Sequence, residues 1–279
     1  MSNKVFYKDK LMLMIDEHLS LIKNNKKGKT LYLVSKSLLR NGKKIRPLIF
    51  LNIVEARSFD FDIDINRLAI SIEMLHCASL IIDDLPSMDN DKLRRGEETV
   101  HVKYGVKKAH MLANKYILEA IGNILEICGK NKDDNGECKR LILKEIRDAC
   151  IGQFYDIRGV TNCDNNDMSD IINLKTAPFF NIAFILAAYF TREGYCEYIK
   201  LGNLFSSMFQ ICDDIEDRQS DLKKGHIMNH CILMGRECSL EMYRERRNEF
   251  INKLREAKLY IPYFIYLIDL LDKKIGLDL

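Results

Sequence analysis

The sequence is poor in the residues that interrupt helices and build turns. Its 279 residues include only four prolines, fourteen glycines and no tryptophan. An all-β fold needs many tight turns, and most such turns use glycine or proline, so this composition argues against a β-rich protein. With 47% hydrophobic residues, the chain is long enough to bury a large core. We therefore predict a protein of long helices.

Paired cysteines and an excess of one charge are also lacking. The nine cysteines include no Cys-x-x-Cys pair, which argues against a zinc ribbon or a disulfide framework and favours reduced thiols. The 43 basic and 40 acidic residues nearly cancel, so no charged tail indicates a nucleic-acid partner. Residues 1–10 lack a signal-peptide core, and the apolar run 177–190 is short for a bilayer-spanning helix. We expect a cytoplasmic protein without a membrane anchor.

Helical patterning runs through almost the whole sequence. We find no linker, internal repeat or low-complexity segment, and we therefore predict a single all-α domain over residues 1–279, a bundle of ten or more helices. Pro86 and Gly96 bracket a predicted polar loop. The predicted helices cover about residues 4–22, 31–39, 48–56, 65–82, 107–128, 138–159, 168–191, 194–220, 239–257 and 262–275.

Two acidic clusters each follow a strongly apolar helix. The first cluster contains Asp83, Asp84 and Asp89, and the second contains Asp213 and Asp217. The last two are four residues apart, so their carboxylates lie on one face of a helix. Crowded carboxylates repel one another beside an apolar core, and Mg²⁺, which prefers oxygen ligands and substrate phosphates, removes that cost. A single acidic run is usually a solvated helix end, but two in the same context favour a metal site.

Basic residues accompany these acidic clusters. Lys43 and Arg46 lie in a turn after Gly42, Arg94 and Arg95 follow the first cluster, and Lys175 precedes an apolar helix. Arginine and lysine both bind phosphate, although each of these residues alone is most simply a surface charge. Together with the acidic clusters and the apolar helices, they predict a pocket for a phosphorylated, apolar substrate.

In these features the sequence resembles the trans-isoprenyl diphosphate synthases, the polyprenyl synthetase family of farnesyl and geranylgeranyl diphosphate synthases. The similarity covers about residues 40–235, and its motifs occur in the family's order. The first acidic cluster resembles the longer, four-spacer form of the family's aspartate-rich motif. The matching segments are 41–47 (Asn-Gly-Lys-Lys-Ile-Arg-Pro), 73–76, 79–89, 93–96 (Leu-Arg-Arg-Gly), 152–156, 175–177 and 209–217.

The resemblance implies a fold and an activity. The fold is the isoprenoid synthase type I fold, an all-α bundle around a deep apolar cavity, and the family expectation is a homodimer. The activity is a Mg²⁺-dependent, head-to-tail condensation of isopentenyl diphosphate with dimethylallyl, geranyl or farnesyl diphosphate. Three Mg²⁺ per site are implied, with Mn²⁺ as an alternative ion.

The same resemblance implies roles for individual residues. The metal ligands would be Asp83, Asp89 and Asp213, supported by Asp84 and Asp217. The allylic diphosphate would be held by Arg94, Lys175 and Gln210, with Thr176 near the forming cation. Isopentenyl diphosphate would be held by Lys43, Arg46, His76 and Arg95, although a lone histidine in an apolar helix is often only a core residue. The catalytic set implied is Lys175, Thr176, Gln210, Asp83 and Asp213.

Product length is predicted from the helix before Asp83. Ser79 and Ala78 lie four and five positions upstream, so they point at least one turn down the helix from the metal site. In the family an aromatic residue here stops the chain at fifteen carbons, whereas these two residues are small. Leu75 would form a lower floor. This favours geranylgeranyl diphosphate, with a farnesyl or mixed product as the alternative.

Departures from the family pattern keep two other functions open. The segment after Asp217 is short, and His226 stands where a lysine is expected. A non-catalytic regulatory subunit of a prenyltransferase would be expected to lose metal ligands, yet this chain keeps both sets. A class I terpene cyclase also uses an aspartate-rich motif but needs no isopentenyl diphosphate site. Isopentenyl incorporation by the protein alone separates all three.

Overall fold

The computed structural model describes residues 3–23, 35–36, 38–39, 41–57, 62–158, 165–224 and 229–277. Across these residues the chain is almost entirely helical, with eleven helices and a single two-stranded hairpin. The all-α class predicted from the scarcity of proline and glycine is confirmed.

The helices follow one another with short connections. They are α1 (Asn3–Lys23), α2 (Ile45–Ala56), α3 (Ile63–Asp83), α4 (Val100–Tyr104), α5 (Val106–Ile127), α6 (Glu137–Arg158), α7 (Asn165–Thr191), α8 (Tyr195–Lys224), α9 (His230–Met234), α10 (Arg236–Glu256) and α11 (Pro262–Lys274). The long helices lie within a few residues of their predicted bounds. Most of the predicted helix 31–39 lies outside the described residues.

The predicted polar loop after α3 contains a small hairpin that was not foreseen. Strand β1 (Leu93–Arg94) pairs antiparallel with β2 (Glu97–Glu98), and Leu93 lies opposite Glu98. The two turn residues both have positive φ, +55° at Arg95 and +80° at Gly96. A two-residue turn of this kind matches the natural twist of paired strands. The hairpin therefore gives the Arg94–Arg95 pair a defined conformation.

Contacts within the chain group into two compact units. The first comprises residues 1–55 and 59–139, and the second comprises residues 56–58 and 140–279. Each is described by itself below, and the single domain over residues 1–279 stays a prediction.

In the first unit, α3 packs mainly against α5 and also against α1. Asp62 begins α3, and its side chain accepts a hydrogen bond of 2.8 Å from the Ile65 amide, which satisfies an amide that the helix leaves unpaired. One face of α5, including Tyr116 and Ala120, is buried, whereas Leu118 is 72% exposed. This spacing is typical of an amphipathic helix on a core. The core therefore holds α3 rigidly up to its acidic end.

In the second unit, α8 packs against α7, α10 and α9. Its core contains a chain of phenylalanine rings. The ring centroid of Phe205 lies 5.1 Å from that of Phe180 and 5.6 Å from that of Phe250. The centroids of Phe250 and Phe264 are 5.7 Å apart. Aromatic pairs at these distances stabilise a core beyond simple burial of area. They fix the part of α8 that precedes the second acidic cluster.

Among the residues that the structure describes, two helices are long and apolar enough to cross a membrane by length and composition. They are Ile63–Asp83 and the segment Leu174–Thr191, which extends the apolar run noted in the sequence. About two thirds of each window is buried inside the protein, as is usual for the core helices of a globular fold.

Candidate active site

The first acidic cluster forms where α3 ends. The chain folds back at once, because the amides of Met88 and Asn90 both donate to the carbonyl of Leu85, at 2.9 and 3.0 Å. The amide of Asp89 then donates to the carbonyl of Asp83 at 3.0 Å. The four-residue spacer is therefore a closed turn that returns Asp89 to the end of the helix. Asp83 is partly exposed and Asp89 is exposed, so this turn brings together two accessible residues of the predicted metal set.

Asp84 has a different environment from Asp83. Its residue is 4% exposed, and its carboxylate accepts hydrogen bonds from both Nε and Nη2 of Arg94, each at 2.7 Å. Burial raises the pKa of Asp84 above its ordinary value, although Arg94 acts in the opposite direction. The structure thus places two sequence-predicted residues together, with Arg94 engaged by Asp84.

In the basic turn before α2, two neighbouring lysines have different environments. Lys43 is exposed, whereas Lys44 is 3% exposed and has a φ of +57°. The Lys44 ammonium donates to Glu73 Oε1 at 2.8 Å and to the carbonyl of Asn41. A buried ion pair needs such additional hydrogen bonds to offset desolvation. Lys44 therefore fixes the turn to α3, and Lys43 is left facing solvent.

Three of the residues predicted for isopentenyl diphosphate lie together in the first unit. Arg46 Nη1 is 3.4 Å from His76 Nε2, and the Arg95 guanidinium lies so close to Gly42 that a Cβ there would overlap it. Gly42 also has a φ of +94°, which favours glycine. Burial, followed by the charges of Arg46, Arg95, Lys44 and Arg94, lowers the pKa of His76 well below its ordinary value. His76 is therefore a neutral side chain in a strongly positive environment.

The three predicted chain-length residues lie on α3 as expected for its apolar segment. Ala78 is fully buried and Leu75 is 4% exposed. Ser79 is partly exposed, and its hydroxyl donates to the carbonyl of His76 at 2.9 Å. None of the three side chains carries an aromatic ring, so no bulky side chain projects from α3 at these positions.

The second acidic cluster lies on α8. Burial raises the pKa of Asp213, and the neighbouring charges of Asp217 and Glu216 act in the same direction. The pKa of Asp217 is raised by burial and by Asp221 and Glu216. The Lys274 ammonium, from the last turn of α11, pairs with Asp213 and with Glu216. The cluster is thus an anionic patch that attracts a cation.

Asp214 is enclosed, unlike Asp213 before it. It is 4% exposed, and its Oδ1 accepts from Gln210 Nε2 at 2.8 Å. Gln210 Oε1 accepts from the Thr176 hydroxyl at 2.7 Å. His230 approaches Asp214 Oδ2 with both its backbone amide, at 2.9 Å, and its Nδ1, at 2.6 Å. Thr176 and Gln210, both predicted from the sequence, therefore belong to one hydrogen-bonded chain.

The backbone at Lys175 is in close contact with α6. A Cβ on Gly152 would lie 2.6 Å from both the Leu174 carbonyl carbon and the Lys175 amide nitrogen. Only glycine permits this approach. One turn later Pro178 lies inside α7, and proline donates no hydrogen bond to the carbonyl four residues earlier. The Gly152 motif thus positions the start of the Lys175–Thr176 segment.

The donor chemistry of both acidic clusters fits Mg²⁺. Within the described residues, no three acidic, histidine or cysteine side chains converge on one point. Mg²⁺ is commonly bound by one or two carboxylates, with the remaining ligands being water and substrate phosphate. Asp83 with Asp89, and Asp213 with Asp217, offer such pairs. The pKa of each member of the second pair is raised mainly by burial and further by neighbouring carboxylates, whose mutual repulsion a cation relieves.

Sequence reasoning missed several partners that organise these groups. The buried pair Lys44–Glu73 is hidden because two adjacent lysines look alike in a sequence. Lys274 is 61 positions from Asp213, and His230 follows the short segment after Asp217. His226, which stands where a lysine is expected, lies outside the described residues.

Comparison with known proteins identifies a family. A profile of the polyprenyl synthetase family matches residues 28–230. A trans-prenyltransferase of African swine fever virus (isolate Pig/Kenya/KEN-50/1950) is 32% identical over 230 residues, which cover 80% of this chain and 69% of that protein.

Solved structures share the fold. The geranyltranstransferase of Thermotoga maritima is 22% identical, with a TM-score of 0.83 over 99% of each chain. A geranyltransferase of Helicobacter pylori, solved with magnesium and isoprenyl diphosphate, is 21% identical, with a TM-score of 0.74 over 99% of this chain and 98% of that one. By its sequence and its fold, the chain belongs to the polyprenyl synthetase family.

Proposed function

We propose that the protein is a Mg²⁺-dependent trans-prenyltransferase that condenses isopentenyl diphosphate with allylic diphosphates, giving mainly geranylgeranyl diphosphate. One observation carries the proposal. Arg46, Arg95 and the neutral His76 lie together in the same compact unit as the closed turn of Asp83 and Asp89. A multiply charged anion and a metal-bound diphosphate are the ligands that such neighbouring groups recognise.

We assign the positive group of the first unit to isopentenyl diphosphate. The Arg46 and Arg95 guanidiniums supply paired donors for phosphate oxygens, and the exposed Lys43 adds a point charge. Neutral His76 presents an N–H to the same anion without adding another charge to four neighbouring cations. The diphosphate would thereby compensate the positive charge that Lys43, Arg46 and Arg95 concentrate here.

The acidic clusters are assigned to Mg²⁺ and the phosphate oxygens of the allylic substrate. In the first unit Asp83 and Asp89 would hold Mg²⁺, and in the second unit Asp213 and Asp217 would do so. A geranyltransferase of H. pylori was solved with magnesium and isoprenyl diphosphate. When bound, the ions neutralise the charge that develops on the departing diphosphate. Buried Asp84 supports the cluster by holding Arg94, rather than by facing the ion directly.

The chemistry then follows from charge. Loss of diphosphate from the allylic substrate leaves a carbocation, which the isopentenyl double bond attacks, and a proton then leaves to the released diphosphate. Lys175 offers a donor to the departing group, while the Thr176 oxygen, held by Gln210, offers lone pairs to the positive carbon. No protein nucleophile is needed. The reaction requires that water be excluded, because water would otherwise capture the cation.

The product assignment depends on the small residues of α3. With Ala78 and Ser79 the growing chain can pass this level, and Leu75 would limit it further down. In Ala78→Phe and Ser79→Phe variants we expect the main product to shorten to fifteen carbons. An unchanged product from both folded variants would show that the chain grows elsewhere, and wild-type protein that released only the fifteen-carbon product would refute the geranylgeranyl assignment.

The decisive test is incorporation of radiolabelled isopentenyl diphosphate by the purified protein with Mg²⁺ and dimethylallyl diphosphate. Incorporation that stops in Asp83→Asn and Asp213→Asn supports the proposal. Release of cyclic hydrocarbons from allylic diphosphate alone would indicate a terpene cyclase instead. A protein that is inactive alone but alters the product of another prenyltransferase would be a regulatory subunit.

We also propose that the protein acts as a cytoplasmic homodimer. On α5, Met111 and Leu118 are 71% and 72% exposed and lie seven positions apart, on one face. A second copy would cover this apolar stripe. We expect light scattering to give twice the 32.5 kDa chain mass and a Met111→Glu/Leu118→Glu variant to give the monomer mass; a monomeric wild-type protein would refute the dimer.

A further inference from the structure

We propose that His230 is a positioning residue for catalysis, which acts through Asp214 and Gln210 on the Thr176 hydroxyl. The inference deepens the proposed prenyl transfer and rests on it. His230 was not identified as a functional residue from the sequence. It lies at the start of α9, and its side chain is 5% exposed.

Asp214 is the centre of the chain of hydrogen bonds. The Asp214 carboxylate accepts hydrogen bonds from N–H groups on both of its oxygens, and we assign the proton between Oδ2 and His230 Nδ1, which lie 2.6 Å apart, to Nδ1. The His230 amide donates to the same oxygen at 2.9 Å. The other oxygen, Oδ1, accepts from Gln210 at 2.8 Å. Both oxygens of this buried group are therefore occupied within the protein.

The direction of each hydrogen bond determines the next one. Because Oδ1 of Asp214 only accepts, Gln210 must present its Nε2 amide to it, and the Gln210 carbonyl then faces Thr176. That carbonyl in turn accepts the Thr176 proton at 2.7 Å. Because its proton is used in this bond, the Thr176 hydroxyl can offer only its two lone pairs to another group. His230 thus fixes the polarity of an oxygen three hydrogen bonds away.

Asn229 holds the backbone that delivers His230. Its Nδ2 donates to the carbonyl of Asp214 and to Asp221 Oδ2, both at 2.9 Å. Its Oδ1 accepts from the Ile232 amide at 3.0 Å and so begins α9. The start of α9 is thereby attached to α8 at two points, Asp214 and Asp221. The position of His230 is set by these contacts and by its own bonds to Asp214.

The polarity matters because the reaction generates positive charge. An oxygen that turns lone pairs toward a developing cation stabilises it, whereas an oxygen that turns its proton that way repels it. Without the bond from His230, the Asp214 carboxylate can rotate away from Gln210, and the Gln210 amide, which then lacks its acceptor, can turn over and reverse the Thr176 hydroxyl. The loss then falls on the chemical step rather than on substrate binding.

Two substitutions at His230 separate donation from packing. His230→Leu keeps comparable bulk without a donor, and we expect kcat to fall about tenfold or more. His230→Asn retains an N–H near the position of Nδ1, and we expect kcat to return to within about threefold of wild type. The KM for isopentenyl diphosphate should stay unchanged in both, because its proposed ligands lie in the first unit.

A matched control removes a buried polar group elsewhere on α7. Asn181 donates to Glu145 at 3.0 Å and to Asn203 at 2.8 Å, away from this chain of hydrogen bonds. Asn181→Leu should lower the melting temperature but leave kcat intact. All variants are assayed at a temperature at which circular dichroism shows them folded. A kcat loss in this control equal to that of His230→Leu would attribute the effect to stability and overturn the proposal.

A double-mutant cycle tests whether His230 acts through Gln210. If it does, His230→Leu should add almost nothing to the kcat loss of Gln210→Leu, because the same orientation is already lost. Multiplicative losses, or a His230→Asn variant as slow as His230→Leu, would overturn the positioning role.

One readout does not depend on activity. Nitrogen-15 NMR of protein labelled in its histidine rings should show the His230 proton on Nδ1, a signal identified by its absence from His230→Asn. Wild-type protein that incorporates no isopentenyl diphosphate would refute the proposed function, and with it the catalytic role. The tautomer would still decide the hydrogen-bonded chain, since a proton on Nε2 alone would overturn it.

Discussion

Acidification below neutral pH should destabilise this protein in part through His76. In the folded chain, burial and then the charges of Arg46 and Arg95 lower the pKa of His76 well below its ordinary value. In the unfolded chain the same ring has an ordinary pKa of about 6.5. As the pH falls through 6.5, His76 binds a proton in the unfolded state but not in the folded state. The contribution of His76 to the unfolding free energy is therefore fully present above this pH. It decreases as the pH falls from 6.5 toward the folded-state pKa.

The magnitude follows from proton linkage. Each pH unit in this window costs about 1.4 kcal/mol for one such group. Between pH 7.5 and 5.5 the unfolded histidine goes from about one tenth to about nine tenths protonated, so the loss of unfolding free energy is about 1.4 kcal/mol. A His76→Gln variant has no ring to protonate, and this part of its pH dependence should vanish.

The assay is urea unfolding of both proteins at the two pH values. The pH-dependent change in unfolding free energy should be about 1.4 kcal/mol larger for wild type than for His76→Gln, since all other groups contribute equally to both. His110→Gln, which removes an exposed histidine of α5, should leave the wild-type difference in place. Equal pH dependence in wild type and His76→Gln would show that His76 titrates alike in both states, and would refute the electrostatic reasoning.

Three further changes test other parts of the structure, by chemical denaturation for stability and by steady-state kinetics for KM. Glu73→Gln removes the partner of a buried lysine and should cost about 3–5 kcal/mol; a loss under 1 kcal/mol would contradict this. Gly42→Ala should displace the guanidinium that lies over it and raise the KM for isopentenyl diphosphate about tenfold, whereas Gly105→Ala, with a similar φ of +88° and open space, should cost stability only. Gly122→Ala, in an exposed helical position with open space, should stabilise α5 by about 0.5–1 kcal/mol.

The long helices could be predicted because their signal is repeated many times. Each turn of α3 or α7 contributes apolar residues, and breakers are concentrated in the loops, so local errors average out. Short elements such as α9 and the hairpin at Arg94–Arg95 were missed, because a single turn carries too little pattern. Their conformations depend on one or two backbone angles and on neighbours distant in sequence.

The residues of the candidate site could be predicted, but not which of two adjacent aspartates is buried and which is accessible. Asp83 and Asp84 are equivalent in the sequence, yet the helix periodicity turns one carboxylate toward the protein, where it meets Arg94, and leaves the other accessible. The same division recurs at Asp213 and Asp214. Which member of a pair is enclosed depends on the packing of distant segments, and a motif does not contain that information.

The Lys274 ammonium gives the second acidic cluster a counter-ion of its own. It reaches Asp213 and Glu216, and although burial disfavours its charge, its hydrogen bonds to them raise its pKa to about 12. Part of the negative charge of this cluster is therefore compensated by the chain itself. A cation that binds Asp213 competes with this ammonium, so its binding is in part an ion exchange. The measured affinity then depends on the difference between the free energies with which the two cations bind this carboxylate.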